Sequence, residues 1–188
     1  MLVAVAVFVM ILMVVGRAFV VEPFEVPSAS MQPLLQPGYR LLVYKIDSES
    51  VRRGEGVVFD GRDSFAPYRG GEHYFVKRII GVGGDRVTCC GSDGHLRVNG
   101  NILLEPYLLK PVTADQPASR VKFDVIVPAG HIWLQGDNRD NSEDSRAYLG
   151  APGGGMVSVS TVVGEARALY WPRDRIGLLP STTSKFAG

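Results

Sequence analysis

Cysteine is nearly absent from this chain of 188 residues; the two present, Cys89 and Cys90, are neighbours. Adjacent cysteines cannot staple distant segments, and a bridge between them closes a tight ring. A fold built on a disulfide framework is therefore excluded. Without a supporting histidine motif, two cysteines also make a poor zinc site. Two readings of the pair stay open. They are small half-buried side chains at the end of a strand, or a vicinal disulfide in a domain facing an oxidising compartment. Charge of one sign is lacking too. The formal net charge is +1, with no block of like charges and no basic stripe interleaved with aromatics. That argues against a nucleic-acid partner. There is no internal repeat, and the only low-complexity tract is Gly153-Gly154-Gly155.

What is abundant sits at one end. Hydrophobic residues make up 46% of the chain, and Met1 to Val15 carries neither charge nor strongly polar group. Gly16-Arg17 interrupts this run and Ala18 to Val21 resumes it. Twenty-one residues of helix span ~31 Å, close to the hydrocarbon thickness of a bilayer. Arg17 lies near one end, where its long stem carries the guanidinium to the headgroups. A cleavable leader would need a basic start and a small-x-small cleavage site. The apolar run begins at Met1, and Gly16-Arg17-Ala18 matches such a site poorly. A buried core helix is the other alternative. We expect an uncleaved membrane anchor over 1–21, its orientation undetermined by flanking charge.

Beyond the anchor the pattern is that of strands, with no convincing amphipathic helix. The proline-punctuated EPFEVP (22–27) is expected to be extended. LLVYKI, EGVVF and RVTCC are short and β-rich. YFVKRII alternates, setting Phe75, Lys77 and Ile79 against Tyr74, Val76, Arg78 and Ile80. HLRVNGNILL carries Asn99-Gly100, and Asp93-Gly94 precedes it; both are strong hairpin dipeptides. VKFDVIVPAGHIWLQGD reads as two strands around Pro128-Ala129-Gly130, and TVVGEARALYW as a last strand. Residues 60–72 and 109–120 read as loops. The expected fold class is mostly β, an antiparallel sheet domain with one N-terminal transmembrane helix. The expected organisation is an anchor at 1–21, a β domain at 22–180 and a flexible tail at 181–188.

Three segments carry chemistry. In Pro27-Ser28-Ala29-Ser30-Met31-Gln32-Pro33, two serines sit two apart between helix-discouraging prolines. Alone, they read as solvated turn residues. In Phe75-Val76-Lys77-Arg78-Ile79-Ile80-Gly81, a lysine interrupts an apolar strand. It is either exposed on an edge strand, where lysine guards against aggregation, or buried. Burial favours the neutral amine, which can take a proton from a serine hydroxyl. In Gly136 to Arg146 (GDNRDNSEDSR), turn-forming residues alternate with both signs of charge. A calcium loop fails there, because Arg139 falls at the third ligand position counted from Asp137 and Ser142 where the turn needs glycine. A solvated loop is the plain alternative. The close alternation instead fits a segment held by internal ion pairs and capping bonds.

Together these segments resemble one family. Ser28 to Pro33, Arg53 to Phe59, Lys77 to Gly81 with Gly84-Asp85, and Gly136 to Arg146 look like the four ordered boxes of bacterial type I signal peptidases. The resemblance runs from about Arg17 to Leu179, and the last box is the most specific. The adjacent cysteines and Gly83-Gly84 look similar to actinobacterial members. The resemblance implies a membrane-bound serine endopeptidase that removes signal peptides from secreted preproteins with a Ser-Lys dyad. It implies Ser30 as nucleophile, Lys77 as general base, Ser28 as an oxyanion donor and Ser142 as the serine that orients the lysine. Arg78, Asp137, Asp144 and Arg146 match charged residues that shape the site through ion pairs. No metal and no cofactor is implied. The implied partners are preproteins, membrane lipid and the secretion translocon, with no nucleic acid. The implied location is the bacterial plasma membrane, single-pass, with the catalytic domain on the extracytoplasmic face. Small substrate side chains before the cut would meet pockets near Phe24, Val26 and Met31. Leu34, Glu55 and Gly83 depart from the family pattern, and none is a reacting group. Two rivals are a Ser-Lys peptidase related to self-cleaving repressors and a non-catalytic tethered β module. The first lacks such an anchor, and the intact Ser30, Lys77 and Ser142 argue against the second.

Overall fold

In chain order, Val21–Glu25 forms β1, Arg40–Tyr44 β2, Gly56–Asp60 β3 and Tyr74–Val82 β4. Arg86–Cys89, Arg97–Val98, Asn101–Leu104 and Phe123–Ile126 follow as β5 to β8. His131–Gln135 is β9, Val157–Ser158 β10 and Val162–Trp171 β11. Gly177–Leu178 and Lys185–Phe186 are the short β12 and β13. This is a computed structural model; it describes residues 20–46, 50–65, 67, 73–180 and the backbone of 185–186. The expected anchor therefore falls outside the described residues, except for its last two positions. Among the described residues no helix is long and apolar enough to cross a membrane.

The strands form two antiparallel sheets. The larger runs β1-β2-β11-β3-β4-β9-β10, with β12 alongside β11; the smaller runs β13-β7-β6-β5-β8. The mostly-β antiparallel expectation holds. TVVGEARALYW is not the last strand, however, because β12 and β13 follow it. Phe123–Ile126 and His131–Gln135 are both strands, yet they do not pair with each other. β8 joins β5 and β9 joins β4, so the chain changes sheets at Pro128–Gly130. Asn99 and Gly100 adopt φ of 53° and 83°. Both are positive, as a two-residue type I′ hairpin between β6 and β7 requires. Cys89 and Cys90 are disulfide-bonded, and both sulfurs lie against the Ser119 carbonyl, at 3.5 and 3.8 Å.

The strand that matters most is β4. Its β-branched and aromatic side chains suit a strand buried on both faces, and it lies between β3 and β9. The alternation read from the sequence sends its side chains to different cores. Phe75 and Ile79 join Val57, Phe59, Phe65 and Leu134. Val76 joins Val26, Met31 and Val58. Ile80 joins Val87, Val98 and Trp133. Lys77 and Arg78 thus sit mid-strand, both buried.

Candidate active site

Ser30 lies in a single 3-10 turn, Ala29–Met31, directly after β1. Hydrogen bonds from Val26 N–H to the Tyr39 carbonyl (2.8 Å) and from Gly38 N–H to the Val26 carbonyl (2.9 Å) pin the approach to this turn. Val26 and Met31, on either side, are each 1% exposed and plug one core. The turn is held by side chains that cannot leave without exposing apolar surface. Met31 and Val26 are therefore core residues. Phe24 is half-buried, its ring meeting Tyr74 edge-on at 5.4 Å between centroids.

Lys77 Nζ approaches Ser30 Oγ to 2.7 Å. Lys77 is 2% exposed and Ser30 4%. The exposed edge-lysine reading fails, because Lys77 is buried. Ser28 Oγ–H donates to Ser30 Oγ at 3.2 Å. Three of the residues named from the sequence thus meet in one cluster, with Ser30 and Lys77 buried and Ser28 half-buried, 47 positions apart at its widest step.

The segment after β9 closes over this contact. A Cβ on Gly136 would collide with both Ser142 Oγ and the Ser30 carbonyl oxygen. Glycine is required there by close approach, and Ser142 stands on the same glycine as the Ser30 backbone. Asn138 N–H donates to the Ser30 carbonyl at 3.0 Å, and its side-chain Nδ2 donates to the Ala29 carbonyl at 3.2 Å.

The four charged residues form two pairs behind the contact. Arg78 grips Asp137 as a fork, Nε to Oδ1 at 2.7 Å and Nη2 to Oδ2 at 2.5 Å, and its Nη1 donates to the Gly54 carbonyl. The guanidinium also lies 3.9 Å from the Tyr107 ring centroid. Arg146 pairs with Asp144, which accepts from Gly136 N–H at 3.0 Å. Burial works to raise the Asp144 carboxyl, but the Arg146 guanidinium and the Gly136 N–H hold it below the ordinary carboxylate range.

A third pair carried no signal as a pair in the sequence. Arg139 forks onto Glu105 and donates to the carbonyls of Gly136 (3.1 Å) and Ala118 (3.2 Å). Burial opposes its charge, yet the Glu105 carboxylate holds its pKa above the arginine value. Tyr107 beside it is pushed well above 10, first by burial and then by Glu105. The alternating charge of the last box announces internal ion pairing, but nothing local identifies Glu105 as a partner. Asn138 was legible only as a turn residue. A cleft of about 320 Å³, lined by Leu108, Lys110, Pro117 and Arg139 among others, lies against this segment and includes neither Ser30 nor Lys77. Among the described residues no group of three or more His, Cys, Asp or Glu side chains is arranged to hold a metal ion.

A family model described as signal peptidase, peptidase S26, matches residues 1–171. The chain is 36% identical to a signal peptidase I of Mycobacterium tuberculosis, over 94% of this chain and 74% of that protein. It is 35% identical to a signal peptidase I of Bacillus licheniformis, over 85% of this chain and 82% of that one. A crystal structure of a signal peptidase I from Enterococcus faecalis V583 aligns with 62% of this chain and 96% of its own, at 26% identity and a TM-score of 0.48.

Proposed function

The chain belongs to the signal peptidase family, peptidase S26, and is a serine endopeptidase; from that premise we propose that it removes N-terminal signal peptides from preproteins with a Ser30–Lys77 dyad. The observation that carries this reading is the 2.7 Å approach of Lys77 Nζ to Ser30 Oγ between two buried residues. Burial disfavours an ammonium there, and the neutral amine is the form that accepts a proton.

In the proposed mechanism Ser30 Oγ attacks the scissile carbonyl carbon while its proton passes to Lys77 Nζ. The carbonyl oxygen becomes an oxyanion, held by Ser30 N–H and the Ser28 hydroxyl. The C–N bond then breaks, and Lys77 returns the proton to the departing amine. This leaves the signal-peptide carboxyl as an ester on Ser30. Water attacks the ester carbon and gives its proton to Lys77. The C–Oγ bond breaks, and Ser30 regains a proton. Ser142, beside Gly136, orients the lysine. The Arg78–Asp137 and Asp144–Arg146 pairs keep the flanking segments in place.

The sheet suggests how substrate lies. Among the described residues β1 is an edge strand, and Tyr74–Lys77 pairs with β3 on one side, whereas pairing with β9 begins only at Arg78. An extended preprotein segment adds its main chain beside β1 and this open part of β4. Nine positions separate Val21, the last residue of the expected anchor, from Ser30, so in this reading the reaction happens at the membrane surface. The exposed Trp171, Ile176 and Leu178, with Arg173 and Arg175 nearby in sequence, suit an interfacial face. The catalytic domain would then stand on the extracytoplasmic side of a bacterial plasma membrane, beside the translocon that delivers preproteins.

The test is preprotein cleavage by the full chain in detergent. Ser30→Ala and Lys77→Arg should both be inactive, since arginine does not shed its proton near neutral pH. Ser28→Ala should lose about 10²–10³ in kcat, as for one oxyanion donor. The rate should rise with pH as Lys77 deprotonates. Full activity in Lys77→Arg, or a rate flat from acid to neutral pH, would remove Lys77 from the base role.

A further inference from the structure

The two peptide planes on either side of the Ser30 Cα are both held by one residue. Ala29 C=O and Ser30 N–H belong to one rigid, planar unit, so fixing the oxygen fixes where the N–H points. That oxygen accepts from Asn138 Nδ2 at 3.2 Å and from Gln32 N–H at 3.2 Å, which uses both of its lone pairs. The following plane carries Ser30 C=O, which accepts from Asn138 N–H at 3.0 Å and rests against Gly136. With both planes fixed, φ and ψ of Ser30 are fixed. The direction of its N–H and the origin of its Oγ vector are fixed with them.

The Asn138 side chain is itself held. It is 7% exposed, so water does not compete well for the amide. Nδ2 also reaches Gln32 Oε1 at 3.5 Å, and Gln32 in turn donates to Gln36 Oε1 at 2.5 Å. The 3-10 turn supplies only its own Gln32 N–H to the Ala29 oxygen. A free turn of this size rotates its peptide planes easily, and an N–H aimed at a developing oxyanion tolerates little rotation before its bond weakens.

We propose that Asn138 is a positioning residue whose side-chain amide locks the Ala29–Ser30 peptide plane, so that Ser30 N–H is aimed at the oxyanion before substrate arrives. The inference rests on the proposed Ser30–Lys77 reading and its oxyanion hole. Asn138 touches no reacting atom. It acts on the transition state, where charge appears on the carbonyl oxygen, and leaves ground-state binding and the Lys77 proton alone.

The test uses the full-length chain in detergent, a fluorogenic signal-peptide substrate and a peptide aldehyde of the same sequence, which forms a tetrahedral adduct on Ser30. Asn138→Asp keeps the shape but offers an oxygen where Nδ2 donates; Asn138→Ala removes the amide. Both should lower kcat by about 10–10²-fold, less than the loss of a whole donor, with KM within about twofold. The pH at half-maximal rate should not move. Aldehyde affinity should fall by the same factor as kcat/KM, whereas uncleaved substrate should bind Ser30→Ala with or without the Asn138 change equally well. Asn138→Asp with wild-type kcat overturns the proposal. So does a loss confined to KM, or one that carries a shifted pH midpoint, which would route the effect through Lys77. If Asn138→Ala fails to fold, the isosteric Asn138→Asp decides by the same ratios. Active Ser30→Ala and Lys77→Arg would instead sink the dyad reading, whereas inactive ones beside a fully active Asn138→Asp would sink this inference alone.

Discussion

Arg78 with Asp137 and Arg86 with Asp124 are the same chemical object in two places. Each is a fork of Nε to Oδ1 and Nη2 to Oδ2, at 2.7 and 2.5 Å in the first and 2.8 and 2.5 Å in the second. Arg78 and Asp137 side chains are 2% and 0% exposed; Arg86 and Asp124 are 61% and 51% exposed. The carboxyls respond in opposite directions. Arg86 draws Asp124 below the ordinary carboxylate value. Burial pushes Asp137 above it, even with Arg78 pulling the other way. Geometry alone therefore does not say what an ion pair contributes. At the surface the partner wins because little solvation is lost. At Asp137 the lost solvation outweighs what Arg78 returns, although Asp137 in turn holds Arg78 above the ordinary arginine value, so the two halves of the fork respond oppositely to burial. The buried fork is better understood as a positional device: it ties β4, one residue from Lys77, to the segment that covers Ser30.

The sharpest way to break this comparison is to remove one partner from each fork. Arg78→Met should cost about 3–5 kcal/mol in urea denaturation, because Asp137 is left charged and buried. The double replacement Arg78→Met with Asp137→Leu should recover most of that stability while kcat stays low. A double variant as unstable as the single one would mean that the pair holds the fold rather than the site. An intermediate effect is expected at Asp144. Its folded pKa is depressed, so its contribution is complete above the ordinary aspartate value of about 3.9 and is lost as pH falls through the lower folded value. Asp144→Asn should flatten the acid limb of the stability–pH curve, measured by thermal unfolding between mildly acid and strongly acid buffers. The smallest effect belongs to Arg86→Ala, which should leave Tm without a resolvable change. Whatever change is seen should vanish when salt is raised, since exposed charges are screened.

The same contrast separates what the sequence makes legible from what it hides. Strand β4 and the Asn99-Gly100 hairpin are written locally, in side-chain alternation and in a dipeptide that accepts positive φ. The four boxes are legible because they resemble a family, and the meeting of Ser30 with Lys77 across 47 positions followed from that resemblance alone. No local property of a proline-flanked serine marks it as a candidate nucleophile. The Glu105–Arg139 fork joins residues 34 apart through two unrelated segments, and periodicity has nothing to say about that. The change of sheets at Pro128–Gly130 is hidden for the same reason: two strands beside a turn look alike whether they pair or part. The cysteine pair allowed two states, and bonding selects the one with both sulfurs against Ser119.

Strand β11 has a further consequence for how the molecule is made. β2 and β3, which carry or flank the early boxes, pair with β11 across more than a hundred residues. Ser30 and Lys77 leave the ribosome early, but the sheet that sets their separation cannot close until residue 171 is available. Pairings of such long range are slow, since loop entropy is spent before any contact is gained. Until then β1 and β2 form a two-stranded ribbon of marginal stability. In the proposed Ser30–Lys77 reading, the two reacting groups are therefore brought into register only once nearly the whole chain has been made.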